Sequence, residues 1–286
     1  MTDQPNKAKT DAAAWVGPVG DVWAQEWRQT DRSFAGLSSH LNHAIAQALP
    51  QSGARVADIG CGAGGTAIAT ASLGDNVEVT GFDLSESLIA IAGERAAALP
   101  NCRFVAGPVE TTIGACAPFD LVISRHGVMF FDNPVAGLAA IRAATAPGAS
   151  MIFSCFRAAA LNGWASEVTA AIASDRPPAP AGYEPGPFAF ADAAFTRSLL
   201  DQAGWTDMEE RAVDFAYRAG EGDDPVTDAV GYFGRIGPAA RILKDSPADR
   251  RPAILNALRD VCEAHRTGDA VDFAAAAWIW TARNPG

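Results

Sequence analysis

Val56-Ala57-Asp58-Ile59-Gly60-Cys61-Gly62-Ala63-Gly64-Gly65-Thr66 is the stretch on which the reading of the chain turns. A short apolar run with Val56 and Ile59 ends in closely spaced glycines, and an alanine-rich helical pattern follows at once, so the order is strand, glycine turn, helix. Glycine accepts positive φ and lets a ligand approach the backbone, while the free N–H groups of a helix start favour a polar or negative group nearby. The turn therefore reads as an element that holds a nucleotide. Gly60, Gly62 and Gly65 satisfy the dinucleotide spacing G-x-G-x-x-G, and Gly60, Gly62 and Gly64 satisfy G-x-G-x-G, so spacing alone leaves both open.

Two acids flank the turn: Asp58, two residues before the first glycine, and Asp83, at the end of the next strand V-E-V-T-G-F-D (Val77 to Asp83). With them the stretch resembles the class I S-adenosylmethionine-dependent methyltransferases, whose first motif is an acid followed by G-x-G-x-G and whose second strand ends in an acid. The resemblance implies that Asp83 takes the two ribose hydroxyls, a task suited to an acceptor-only carboxylate. It also implies that Gly60, Cys61, Gly62 and Gly64 admit the methionine and ribose portions, and that Asp58 orients the methionyl end directly or through water. Leu84 would lie against adenine, and the main chain at Ser124 and Arg125 would meet the methionyl amino group. A nicotinamide dehydrogenase also carries an acid at this strand end, so later motifs decide.

Strand three, Arg103 to Val105, runs into A-G-P-V-E-T, where Pro108 stands in the place of the family's adenine-binding acid. The backbone of Val109 or the carboxylate of Glu110 could substitute; the alternative for Glu110 is a solvated loop charge. Strand four, F-D-L-V-I-S (Phe119 to Ser124), a helix from Val135 to Ala146, a Pro147-Gly148 turn and strand five from Met151 to Phe156 reproduce a methyltransferase run that dehydrogenases lack. The pattern S-R-x-G-V-M-F-F-D-x-P, with P-G-P-F-A-F-A-D (Pro185 to Asp192) later, resembles a bacterial small-molecule group related to the ubiquinone and menaquinone methyltransferases. That group has Phe where this chain has His126, so a chemical role for the histidine is not inherited.

The chain has 286 residues, 49% of them hydrophobic, enough for a full α/β core without staples. A net charge of −11 with no basic cluster argues against a nucleic-acid substrate. Five scattered cysteines without a C-x-x-C pair fit reduced thiols, and the four histidines form no H-E-x-x-H pattern, so spacing implies no metal site. The polar start and the lack of any long apolar run predict a cytoplasmic protein without membrane contact. Oligomeric state is not legible.

Residues 1–10 read as disordered, after which Trp15, Trp23 and Trp27 fall within thirteen residues. They read either as a capping helix packed on the core or as a lid, Trp23 included, over the cofactor. Leu37, Leu41, Ile45 and Leu49 make a single-faced helix stopped by Pro50. Ser85 and Asp192 are N-caps, and Gly204 ends the helix carrying Phe195, Leu199 and Leu200. The Pro-rich stretch after a helix at 162–174 is either a substrate cover or a rigid loop setting Phe188 and Phe190 on the core. Two or three helices over 221–268 carry Arg241, Lys244, Arg250 and Arg251, read as a solvated face rather than an acid-binding site.

The expectation is an α/β, Rossmann-like seven-stranded sheet ordered 3-2-1-4-5-7-6 with strand seven antiparallel. Residues 1–50 form a lid, 51–156 the cofactor core, 157–191 a cap insertion, and 192–286 the rest of the core with a helical insertion at 221–268. The expected activity is methyl transfer from S-adenosyl-L-methionine to a small, aromatic or partly apolar acceptor through O, C or N. His126, at the C-terminal end of a central strand, is the candidate catalytic base, with a near-neutral pKa; the alternative is a neutral pocket wall. Two rivals stay open: an NAD(P)-dependent oxidoreductase and a non-catalytic S-adenosylmethionine-binding protein.

Overall fold

The computed structural model describes residues 12–173 and 182–286, so the disorder expected for residues 1–10 and much of the Pro-rich stretch lie outside the described residues. The chain opens with three short helices, α1 (Ala12–Val16), α2 (Pro18–Gln25) and α3 (Trp27–Ser33), where one helix carrying the tryptophans was expected. In α4 (Ala35–Ala48) Leu37, Leu41 and Ile45 are buried at helical spacing.

Strand β1 (Ala54–Ile59) is buried almost throughout, as a central parallel strand covered on both faces must be. It leads through the glycine turn into α5 (Gly65–Ala71), then β2 (Val77–Asp83). Helix α6 (Glu86–Arg95) begins where Ser85 Oγ accepts from the Leu88 N–H. Then come β3 (Cys102–Ala106), the single turn α7 (Val109–Thr112), β4 (Phe119–Arg125), α8 (Pro134–Ala143) and β5 (Thr145–Phe156). The strand β5 starts earlier than expected and takes in Pro147-Gly148, where its register with β4 is irregular.

Beyond it lie α9 (Gly163–Ile172), α10 (Ala193–Gln202), capped by Asp192 and followed by Gly204 at φ +83°, and the long strand β6 (Thr206–Glu221). The insertion contains three helices, α11 (Pro225–Phe233), α12 (Gly237–Asp245) and α13 (Arg251–Ala264), then the two-residue β7 (Arg266–Thr267) and the final β8 (Ala270–Arg283).

The main sheet runs β3-β2-β1-β4-β5-β8-β6, with β7 hairpinned onto β8. This is the expected order; the extra β7 only moves the terminal strand's number, and that strand pairs antiparallel with both β5 and β6. From β1 the chain steps through α5 to β2 on one side, and from β4 through α8 to β5 on the other. Right-handed crossovers in opposite directions put α5 and α8 on opposite faces and open a crevice above β1 and β4. Helices α9 and α11 each pack on α13, and α12 packs on α9 and α11, so the insertion helices form one cluster with α9. Among the described residues no helix is long and apolar enough to cross a membrane.

Candidate active site

The carboxyl ends of β1, β2 and β4 meet at the glycine turn. Gly60 has φ +63°, and a Cβ there would stand 2.7 Å from Gly127 Cα, so the two loops touch backbone to backbone. Gly62, at φ +53°, faces open space, and its N–H donates to Asp83 Oδ2 at 2.9 Å. Asp83 Oδ1 accepts from the Ser85 N–H at 2.9 Å, so one carboxylate shapes both the turn and the start of α6. Burial raises the Asp83 pKa against these N–H bonds. Cys61 is buried beside it, and burial with the two neighbouring carboxylates pushes its thiol pKa up, which makes it a neutral wall group.

Asp58 is fully buried, and neither carboxylate oxygen has a partner at hydrogen-bond geometry. Burial pushes its pKa up to about 7, although the Arg125 charge and the Ala67 amide pull the other way. A buried carboxylate whose nearest donor, the Ala67 N–H, falls short of hydrogen-bond geometry is costly unless it is protonated or meets a cation.

At the end of β4 the chain turns through His126 at φ +60°, in the left-handed region that non-glycine residues seldom enter. Its N–H donates to the Ser154 carbonyl at 3.1 Å, its Nδ1 lies 2.9 Å from Ser154 Oγ, and its ring sits against Phe156 and Phe34 with centroids 4.2 and 4.9 Å away. Nε2 is buried without a partner. Burial first, then the Arg125 charge, lowers the His126 pKa to about 3, which corrects the expectation of a near-neutral base: the imidazole is neutral across the physiological range. Arg125 itself bonds Asp31 at 2.7 Å and Ser38 Oγ at 3.2 Å, and Asp31 also takes Arg95 at 2.8 Å.

A cavity of about 260 Å³ runs over these groups. Of the residues singled out from sequence, Trp23, Asp58, Gly60, Cys61, Gly62, Asp83, Leu84, Val109, Glu110, Arg125 and His126 line it. Two do not. Gly64 sits behind the turn, where a Cβ would press on Ala92 and Phe104; Ser124 is fully buried, its Oγ donating to the Ile59 carbonyl at 2.7 Å and accepting from the Gly127 N–H at 3.2 Å. Ser124 thus ties β1 to the β4 loop from below. Pro108 and Val109 both line the cavity where the acid of the resemblance is missing.

Trp15, Trp23 and Trp27 roof the cavity, Trp15 packing on Trp23 and Phe130 at 5.4 and 5.1 Å, so they pack and cover at once. The far end is walled by Phe34, Phe156, Trp164, Tyr217 and Ile236. Trp164 stacks on Tyr217 at 5.1 Å and on Phe188 at 5.8 Å, while Phe190 is fully buried in the core. Phe34, Asp31 and Tyr217 were not legible as site residues: nothing in their local pattern separates them from core or surface positions. Arg241, Lys244, Arg250 and Arg251 are exposed and outside the lining.

Residues 56–148 match the family model described as a methyltransferase domain. That segment carries the sequence pattern of a methyltransferase domain. No curated protein matches the sequence. Among solved structures, YcgJ of Bacillus subtilis is 16% identical, with a TM-score of 0.53 over 86% of this chain and 98% of that one. The putative methyltransferase BH2331 of Bacillus halodurans is 15% identical, TM-score 0.53, over 87% and 100%. The Haemonchus contortus phosphoethanolamine N-methyltransferase 2, in complex with phosphomonomethylethanolamine and S-adenosylhomocysteine, is 16% identical, TM-score 0.53, over 95% of this chain and 61% of that one. These likenesses establish the fold, and the segment matched by the family model runs from within β1 to the first residues of β5, the part that holds the glycine turn.

Proposed function

We propose that this methyltransferase uses S-adenosyl-L-methionine to methylate a small, ring-bearing or partly apolar acceptor through an O, C or N nucleophile. The observation that carries the reading is Asp58, a fully buried carboxylate with both oxygens unpartnered beside the glycine turn and lining the cavity. A methionyl ammonium satisfies such a group; a dinucleotide pyrophosphate, anionic at the same turn between Asp58 and Asp83, is repelled by it. Asp83 keeps lone pairs for ribose hydroxyls beyond the two it gives to N–H groups, and Leu84, Pro108 and Val109 offer an apolar bed for adenine.

When bound, the cofactor supplies a sulfonium methyl carbon, attacked in line by the acceptor's lone pair while the S–C bonding pair stays on sulfur. The chain's own part is to hold, orient and exclude water. The aromatic chamber beyond His126 is a place for a flat acceptor, which weighs against a non-catalytic cofactor binder. It weighs equally against a phosphorylated acceptor, since Arg125, which the cavity does expose, is already engaged by Asp31 and Ser38. The kinship with the ubiquinone and menaquinone group rests on the Ser124 to Pro134 pattern and belongs to this same proposal. Calorimetry tests it: S-adenosylhomocysteine binds and NADH does not, whereas tight NADH binding without the homocysteine compound overturns it. Mass spectrometry of ligand carried through purification names the acceptor class.

A further inference from the structure

The buried histidine at the end of β4 lines the cavity and leaves one polar atom, Nε2, buried without a partner, and its protonation can be assigned from its neighbours. Ser154 is fully buried, and among the described residues its Oγ has one hydrogen-bond partner, His126 Nδ1. If Nδ1 carried the proton and donated to Ser154, the serine hydroxyl hydrogen would have no acceptor and Nε2 would be a bare lone pair: two unmet functions. If Ser154 donates to Nδ1, only the Nε2–H is left unmet. Buried polar groups left unpaired are costly, so the second arrangement holds. Phe34 and Phe156 pack the ring from two sides, and the main-chain bond to Ser154 sets its base, so it has little freedom to swing.

We infer that His126 is a fixed-tautomer hydrogen-bond donor whose Nε2–H receives an oxygen of the acceptor, and that the acceptors are flat phenols or enols bound in their ionised form. The inference rests on the methyl-transfer reading of the site for the acceptor's fate, but not for the state of the imidazole. A neutral imidazole donates well to a developing or full oxyanion and takes up a proton poorly; the depressed pKa of this ring agrees with the assignment. Of the other polar groups on the cavity wall, Tyr217 OH is paired with Tyr232 OH at 3.1 Å, while Thr30 Oγ1 and Trp15 Nε1 are further unpartnered donors; Phe34, Phe156 and Ile236, which pack around the imidazole, are apolar. The acceptor's proton is then lost to solvent before binding, and no base in the chamber is required. Ser154 acts through His126 and is a positioning residue.

The decisive measurement is ¹⁵N NMR of the free, full chain. His126 should show the Nε2–H tautomer, and Ser154→Ala should shift the population towards Nδ1–H; an Nδ1–H tautomer or an imidazolium in the wild type overturns the inference. The probe for the chamber is 4-nitrophenol, followed by its phenolate absorbance with S-adenosylhomocysteine present. The wild type should bind the phenolate in preference to the phenol; His126→Phe should lose this preference, with phenolate affinity falling about tenfold or more. His126→Asn, which tolerates positive φ and keeps an N–H donor, should restore part of it. Equal binding of phenolate by wild type and His126→Phe, both folded by thermal melt, refutes the donor role. Failure of S-adenosylhomocysteine to bind would sink the methyl-transfer reading instead, leaving the tautomer result standing.

Discussion

Asp58 and His126 are buried titratable groups whose shifts run in opposite directions, and their pH signatures separate. The Asp58 pKa stands at about 7 in the folded protein against an ordinary value of 3.8. A raised pKa favours folding below the unfolded value, and this advantage is lost as pH climbs to about 7, on the order of 4 kcal/mol across that window. Asp58→Asn should therefore melt higher than wild type above pH 7 and lose that advantage below about pH 4. The same variant should bind S-adenosylhomocysteine more weakly by roughly 1.5–3 kcal/mol, the range for a charged hydrogen bond. A variant that gains stability without losing affinity would remove Asp58 from the cofactor site. His126, lowered from 6.5 to about 3, favours folding above 6.5 and loses that contribution as pH falls towards 3. Urea midpoints of His126→Asn should fall less than those of wild type over that acid window. For Asp83→Ala we expect weaker S-adenosylhomocysteine binding by at least about 1.5 kcal/mol, since on the proposed reading the change removes the ribose acceptors, and it also frees the Gly62 and Ser85 N–H groups. Calorimetry on the folded variant reads it.

The N-terminal helices are held by ion pairs to two different parts of the chain. Asp31, on α3, clamps Arg95 and Arg125, and Arg95 lies 3.9 Å over the Trp27 ring while also donating to the Ala63 carbonyl. Arg32 reaches Asp228 on α11 at 2.5 Å and the Ala219 carbonyl at 2.6 Å, and Glu26 pairs with Arg235 just beyond α11. The N-terminal helices are thus tied both to α6 and the end of β4 and to α11. Glu26 is buried while Arg235 is half exposed, so Arg235→Ala strands a buried carboxylate. We expect about 1–3 kcal/mol of lost stability and faster hydrogen exchange across α2 and α3, with α5 and α6 unchanged. Exchange rising uniformly would show that the pair supports the whole fold and not the lid.

The cavity is lined by residues of the sheet, of the N-terminal helices and of the insertion before β8, so a ligand that fills it touches all three. Ligand that binds only the folded chain stabilises it by mass action: at a hundredfold excess over its Kd, S-adenosylhomocysteine should add about 2.7 kcal/mol, read as a rise in Tm that grows with ligand concentration. Tryptophan emission should change in the same titration, because Trp15, Trp23, Trp27 and Trp164 line the space. A flat Tm at saturating ligand would mean that the cofactor binds the unfolded chain equally well or not at all.

The order of the sheet was legible in the chain itself because each step is local: apolar runs at strand length, a glycine turn, capped helices, a terminal strand with no room for a crossover. The acids at the strand ends were legible for the same reason, since Asp58 and Asp83 take their positions from the strands that carry them. What the tertiary structure alone decided was environment. His126 looks the same in sequence whether it titrates near neutrality or not; its state depends on Phe34, from the junction of α3 and α4, and on Ser154 and Phe156 of β5, which close around it and remove water. Gly64 and Ser124 fit their motifs, yet packing against Ala92, Phe104 and Ile59 sets them behind the cavity. Tyr217 and Ile236 join Phe34 only because β6 pairs at the edge of the sheet and the segment before α12 comes back to the same cavity, and burial, which shifts every pKa discussed here, is a property of that tertiary arrangement and not of local sequence.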